Sequence, residues 1–236
     1  FNDADIVANE GVNFTAASNV TNSGKVTAEE TVRFTAKGGY IINKGEVSGE
    51  KVAFNAATNI ANEAGITAGK VVNFVAGNSL TNGGSITAKE DVSLKATTGK
   101  VANSGAIEGA RVEFIAGTDI VNEAGVAANK GVNFTATNNV TNSGKIDAAE
   151  NVIFTAQDGY IINKGEVSGE EVAFTAASNI ANEAGITADK VVNFAAGNSL
   201  TNGGRITAKE DVSFSATTGK VTNSGAIEGS SVEFMA

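Results

Sequence analysis

The chain has 236 residues, a net charge of −9 and 28 glycines, and it contains no Cys, His, Pro or Trp. Without Cys or His there is no disulfide framework, thiolate zinc site, iron–sulfur cluster or Ser-His-Asp triad. The acidic balance argues against nucleic acid and anionic membrane surfaces as partners, and no run of 18 apolar residues offers a membrane-inserted helix.

Read in chain order, the first complete unit opens at Val12 with Val-x-Phe-x-Ala. Val then recurs at constant spacing, as Val32, Val52, Val72 and onward to Val232, without a miss. Phe14 begins a second column that is broken once, at Leu94, and Ala16 begins a third that is never broken. Apolar residues at alternate positions mark a strand with one buried face. The next element is aliphatic-x-Asn, as in Val20-Thr21-Asn22, and a Gly follows it closely. Four positions after each Asn comes a further aliphatic, and two beyond that always Ala or Gly, as in Val26 and Ala28. Each unit therefore predicts three short strands separated by Gly- and Asn-containing turns.

The units are not uniform. In those opening at Val32, Val92, Val152 and Val212, the Asn arrives one residue late and the return to Val is one residue short. Every third unit is of this type, which sets a sub-period of three units. A longer period of six units is nearly literal: residues 39–54 and 159–174 differ only at Lys51 against Glu171. Duplication of a six-unit block accounts for this. Phe1 aligns with Val121 in mid-unit and Ala236 stops in mid-unit. The expected domain organisation is thus one β-helix segment over 1–236, cut from a longer array.

A unit this short cannot bury its own apolar face, but stacked units bury it together. The fold class expected is all-β: a parallel β-helix solenoid of about 20 residues per coil and about 12 coils. Each sequence column then becomes a physical stack. The Phe column predicts rings stacked ring on ring, with Leu94 as an interruption. The Asn column predicts a side-chain amide ladder, and the neighbouring Gly is expected to supply a positive φ at the corner.

Units reading Val-x-Phe-x-Ala, then aliphatic-x-Asn-x-Gly, then aliphatic-x-Ala resemble the haemagglutinin repeats of filamentous haemagglutinin, found in large two-partner secretion exoproteins of Gram-negative bacteria. The resemblance covers essentially the whole chain. It implies a right-handed β-helix that serves as the shaft of a secreted, cell-surface fibre or adhesin and projects a distal binding or effector domain. It further implies an outer-membrane transporter as partner, an extracellular location, and a receptor engaged through regions outside this segment. Phe where Leu is more usual is a departure from the family pattern.

Other functions fit the residues less well. An enzyme needs a cleft built from irregular loops, and coils of constant length leave none, so no catalytic residue is expected. Glu29, Glu30, Glu50, Glu90, Asp91, Glu210 and Asp211 fall at the turn before the Val column and read as a solvated corner. No calcium-binding nonapeptide or phosphate-binding loop is present, so no metal or cofactor is expected. The outward row Thr27, Thr67, Thr87, Thr187 and Thr207 is broken by Glu108, Asp147 and Glu228, which disfavours ice binding. Asn13, Asn19, Asn133 and Asn139 stand in Asn-x-Thr, which this Asn- and Thr-rich composition produces by chance. Two alternatives to the shaft remain: a filament subunit that stacks on copies of itself, and a polysaccharide-binding or -cleaving β-helix. The candidate surface contacts are the outward apolar residues Tyr40, Ile42, Tyr160 and Ile162. Val75, Ile115 and Ile153 are also expected to face outward.

Overall fold

The computed structural model describes all of residues 1–236. The chain is a parallel β-solenoid of about 12 turns with no helix, and it divides into two compact units, Phe1–Gly117 and Thr118–Ala236. Each turn contributes one strand to each of three sheets. In the second coil, Thr31–Ala36 carries the Val, Phe and Ala columns, Ile41–Asn43 carries the Asn column, and Val47–Gly49 returns the chain to the next coil. We call these the Phe, Asn and return sheets.

Within the first unit, Phe14, Phe34, Phe54, Phe74, Leu94 and Phe114 sit directly opposite one another in successive strands. Phe134, Phe154, Phe174, Phe194, Phe214 and Phe234 do the same in the second. A parallel ladder with strict repeat spacing keeps every inward residue inward, because a one-residue slip would turn the whole apolar set to solvent. The late-Asn coils test this rule. Val20 still pairs with Ile41, and Ile41 with Ile60, although the two intervals are unequal. The extra residue lies in the turn before Ile41, and the corner after Gly49 is correspondingly shorter. Strand register is thus preserved and only the corners change.

The cores of both units consist of stacked columns of Val, Phe, Ala and Ile or Leu, nearly all fully buried. The rings from Phe34 to Phe74 are parallel, with centroids 4.4–4.6 Å apart. Those from Phe134 to Phe234 lie 4.6–5.1 Å apart and within 9° of parallel. Coil spacing dictates the distance, since strands hydrogen-bond about 4.8 Å apart and the rings ride on them. Phe14 departs from the expected stack and meets Phe34 edge-on at 85°. Phe14 is half-exposed rather than buried.

The corner glycines correct one expectation: no residue in the chain, Gly included, has a positive φ. Gly is required there for space. A Cβ on Gly84 would overlap the carbonyl oxygen of Ala64 in the preceding coil, and one on Gly105 would overlap that of Gly84. Gly65, in the Asn-Glu-Ala-Gly variant of the corner, would meet only Ser85 Oγ at 3.4 Å. We expect Gly105→Ala to destabilise the first unit by about 1–3 kcal/mol, as overpacking against fixed backbone does. Gly65→Ala should be neutral or slightly stabilising. Urea midpoints of the two variants measure the contrast, and equal midpoints would contradict it.

Candidate interaction surfaces

A ladder of amides runs through each unit. In the first, the Nδ2 of Asn2, Asn22, Asn43, Asn62 and Asn82 donates to Oδ1 of the Asn in the next coil at 2.7–2.9 Å, Asn103 accepting from Asn82. In the second, the same bonds run from Asn122 to Asn223 at 2.7–2.8 Å. Nearly every ladder amide also donates its second N–H to the carbonyl two positions ahead, as Asn62 does to Ala64 at 2.8 Å. Ten of these Asn side chains are buried, from Asn22 to Asn202, and no buried side-chain polar atom lacks a partner. Asn suits this place because one amide supplies both two donors and an acceptor. The ladder is structural, and it occupies the polar groups most able to recognise a ligand.

A second, exposed ladder escaped the sequence reading. In the turn before the Asn sheet, Asn19 Oδ1 accepts the backbone N–H of Tyr40 in the next coil at 3.1 Å, and Asn139 Oδ1 accepts that of Tyr160 at 3.0 Å. Asn59 and Asn179 do the same for Ser79 and Ser199. Two of the four Asn-x-Thr asparagines therefore serve as turn caps. The available signal was a residue with a side-chain oxygen, Asn or Asp, recurring just before the Asn strand. It is easily masked, because Asn is also common at positions with no such role.

At the corners, some carboxylates pair with a lysine of the next coil. Lys70 Nζ lies 2.5 Å from Glu50 Oε1, and Lys190 Nζ lies 2.7 Å from Glu170 Oε1. The hydrogen bond and charge of Lys70 hold the Glu50 carboxyl below its ordinary range, and Glu50 in turn raises Lys70. Glu50 is thus a fixed carboxylate rather than a proton donor near neutral pH. Beside it the short corner leaves a shallow, open groove of about 390 Å³, lined by Glu29, Ser48, Gly49, Glu50 and Gly69. The groove has none of the enclosure by which an active site excludes water.

The sequence-predicted contact residues do reach the surface. Tyr40 is 37% exposed and Tyr160 39%, and Ile42 and Ile162 are half-exposed. In each unit the Tyr and the Ile are neighbours along one strand entrance, so the fold places them side by side. Ile153 is exposed on the Phe sheet, while Val75 and Ile115 are half-buried there.

Repeated coils that keep one strand register, a polar ladder consumed by the fold and charged corners facing water define a repetitive β-solenoid scaffold. Comparison with protein families agrees: the haemagglutinin repeat matches residues 2–51, 47–144, 107–159 and 145–231. The chain belongs to the haemagglutinin repeat family, a family of structural adhesin repeats and not a known enzyme family. No curated protein and no solved structure shows significant similarity to it.

Proposed function

We propose that this chain forms part of the shaft of a secreted bacterial surface fibre, which holds a distal binding or effector domain away from the cell. The observation that supports this reading most directly is the constancy of the coil. Every turn keeps strand register, and each small deviation in loop length is cancelled within the same coil. Such a chain advances by one strand spacing, about 4.8 Å, with each coil and builds no cleft. The lack of Cys suits a protein that crosses membranes unfolded and folds outside without an oxidative step. Family membership fits export through an outer-membrane transporter and a position at the cell surface.

The test is antibody labelling of intact producing cells, combined with a denaturing gel of the native polypeptide. Surface labelling on a polypeptide of hundreds of kilodaltons is the expected result. Antigen found only after lysis would overturn the reading. Surface fibres made of a polypeptide close to 23.7 kDa would replace it with a non-covalent filament.

A further inference from the structure

The three sheets differ in the charge they show to solvent. On the Asn sheet each strand presents one outward residue at its centre. In the first unit these are Thr21, Ile42, Ala61, Thr81 and Ala102, none of them charged. The second unit repeats the pattern, with Val121 and Ile162 as its largest members, again without a charge. The other faces do carry charges: Glu108, Asp147 and Glu228 on the return sheet, and Arg33, Lys95 and Glu113 on the Phe sheet. In a chain of net charge −9, a row of strand centres without a charge, with charges such as Lys44, Glu63 and Lys100 only at its margins, is a departure that solubility does not favour.

We propose that within a unit this face binds the same face of the same unit in a second copy of the chain, with the unit's coil axis parallel to its partner's and a two-fold axis running along them. A half-turn about such an axis reverses the strand direction of the facing copy but leaves every coil at its own height. Each central outward residue then meets its own equivalent: Ile42 meets Ile42 and Ile162 meets Ile162. The residue two before the centre meets the residue two after it. Tyr40 therefore faces Lys44, and Tyr160 faces Lys164, on both sides of the axis.

These pairs are chemically matched. The Lys44 side chain is 54% exposed and only loosely held by Glu63 at 3.8 Å, and Lys164 stands likewise beside Glu183 at 3.8 Å. Both ammonium groups are free to lie over a tyrosine ring, a contact that strengthens once water is excluded. Elsewhere in the first unit the operation sets Asn19 against Ser23, Ser79 against Gly83 and Lys100 against Ser104, with no like charges opposed. In the second unit it opposes one like pair, Asp119 and Glu123. Strands about 4.8 Å apart, five in the first unit and six in the second, and five residues about 3.3 Å apart give roughly 400 and 480 Å² of face. Two copies facing through one unit bury roughly 800–1,000 Å² in total, below the range of stable specific interfaces, so the association is weak and reversible. The pairing goes beyond the shaft reading and does not depend on it, because it concerns the purified chain wherever the protein resides.

Sedimentation equilibrium of the intact 236-residue protein tests the proposal. The mass should rise from 23.7 kDa toward twice that value with concentration. Ile42→Lys combined with Ile162→Lys places like charges on the axis and should weaken association at least about tenfold, by the cost of opposing charges in a desolvated contact. Ile153→Lys on the Phe sheet should leave association unchanged. Circular dichroism verifies that each variant is folded. Because the chain has no Cys, Thr81→Cys provides an independent readout that needs no folded double variant. A short bismaleimide should link two copies through Thr81→Cys but not through Thr87→Cys on the return sheet. A protein monomeric at millimolar concentration, association indifferent to the Ile42 and Ile162 changes, or equal cross-linking at both cysteines would overturn the proposal.

Discussion

Asn62→Asp should be among the most damaging single substitutions in the chain, lowering stability by about 3–5 kcal/mol at neutral pH. Asn62 Nδ2 donates to Asn82 Oδ1 and to the Ala64 carbonyl, each at 2.8 Å, and its Oδ1 accepts from Asn43 Nδ2 at 2.8 Å. Asp keeps the acceptor and replaces both donors with a charged oxygen facing two other acceptors. The site is 1% exposed, so water does not compensate. Burial, with Asn43 Nδ2 the one donor retained, raises the pKa of the introduced carboxyl. The folded state then holds a proton that the unfolded state has released, so stability falls as pH rises above the ordinary carboxylate range. The variant should therefore lie closer to wild type at pH 4 than at pH 8. Urea denaturation at the two pH values checks both magnitude and sign. A loss below about 1 kcal/mol, the net worth of a single ordinary hydrogen bond, or a larger loss at pH 4, would mean that the ladder contributes little to the fold. Asn62→Ala removes the same donors without the charge and should cost less.

Phe174→Ala should remove a comparable amount, about 3–5 kcal/mol, for a different reason. Phe174 is 1% exposed and lies between two parallel rings, Phe154 at 4.6 Å and Phe194 at 4.9 Å. Truncation leaves a ring-sized void that the coils above and below cannot fill, because backbone hydrogen bonds hold them at fixed height. The chain contains its own milder comparison. Leu94 occupies this column, fully buried between Phe74 and Phe114. Its counterpart in the second six-unit block is Phe214, in a coil of nearly identical sequence that accepts the ring in a parallel stack with Phe194. Phe174→Leu should thus cost only about 1–2 kcal/mol, and Leu94→Phe should stabilise by about 1 kcal/mol. In a solenoid, stability is close to a sum of coil and neighbour terms, so these effects should appear locally. Hydrogen exchange resolved by coil should show added protection around residue 94 in Leu94→Phe. Uniform exchange along the chain would argue that the columns do not act as local stacks.

Much of the fold was legible before any coordinates because the repeat length equals one turn. When a single repeat brings the chain back to the same place one strand higher, a sequence column and a physical stack are the same object. The Val, Phe and Ala columns could thus be placed inward, the Asn column read as an amide ladder, and Leu94 singled out, from spacing alone; that the ladder lies buried at the end of a strand and not in a turn came from the fold. Tyr40 and Ile42 could be placed outward by the same alternation. The family resemblance rested on these columns as well, and the match to the haemagglutinin repeat follows them across the chain.

The tertiary structure decided what depends on the gap between coils. Glycine beside the ladder looked like a demand on φ. It is a demand on space, because the nearest obstacle is a carbonyl in the preceding coil, a whole repeat away in sequence. The asparagines that cap the N–H groups of Tyr40 and Tyr160 left only a faint signal in the sequence, because their partners are backbone atoms of the next turn, which no residue type advertises. The uncharged row of strand centres on the Asn sheet emerged only once equivalent residues of successive coils were gathered into one surface. Periodicity specifies which side chains share a stack. Contact across the stack specifies what each must be.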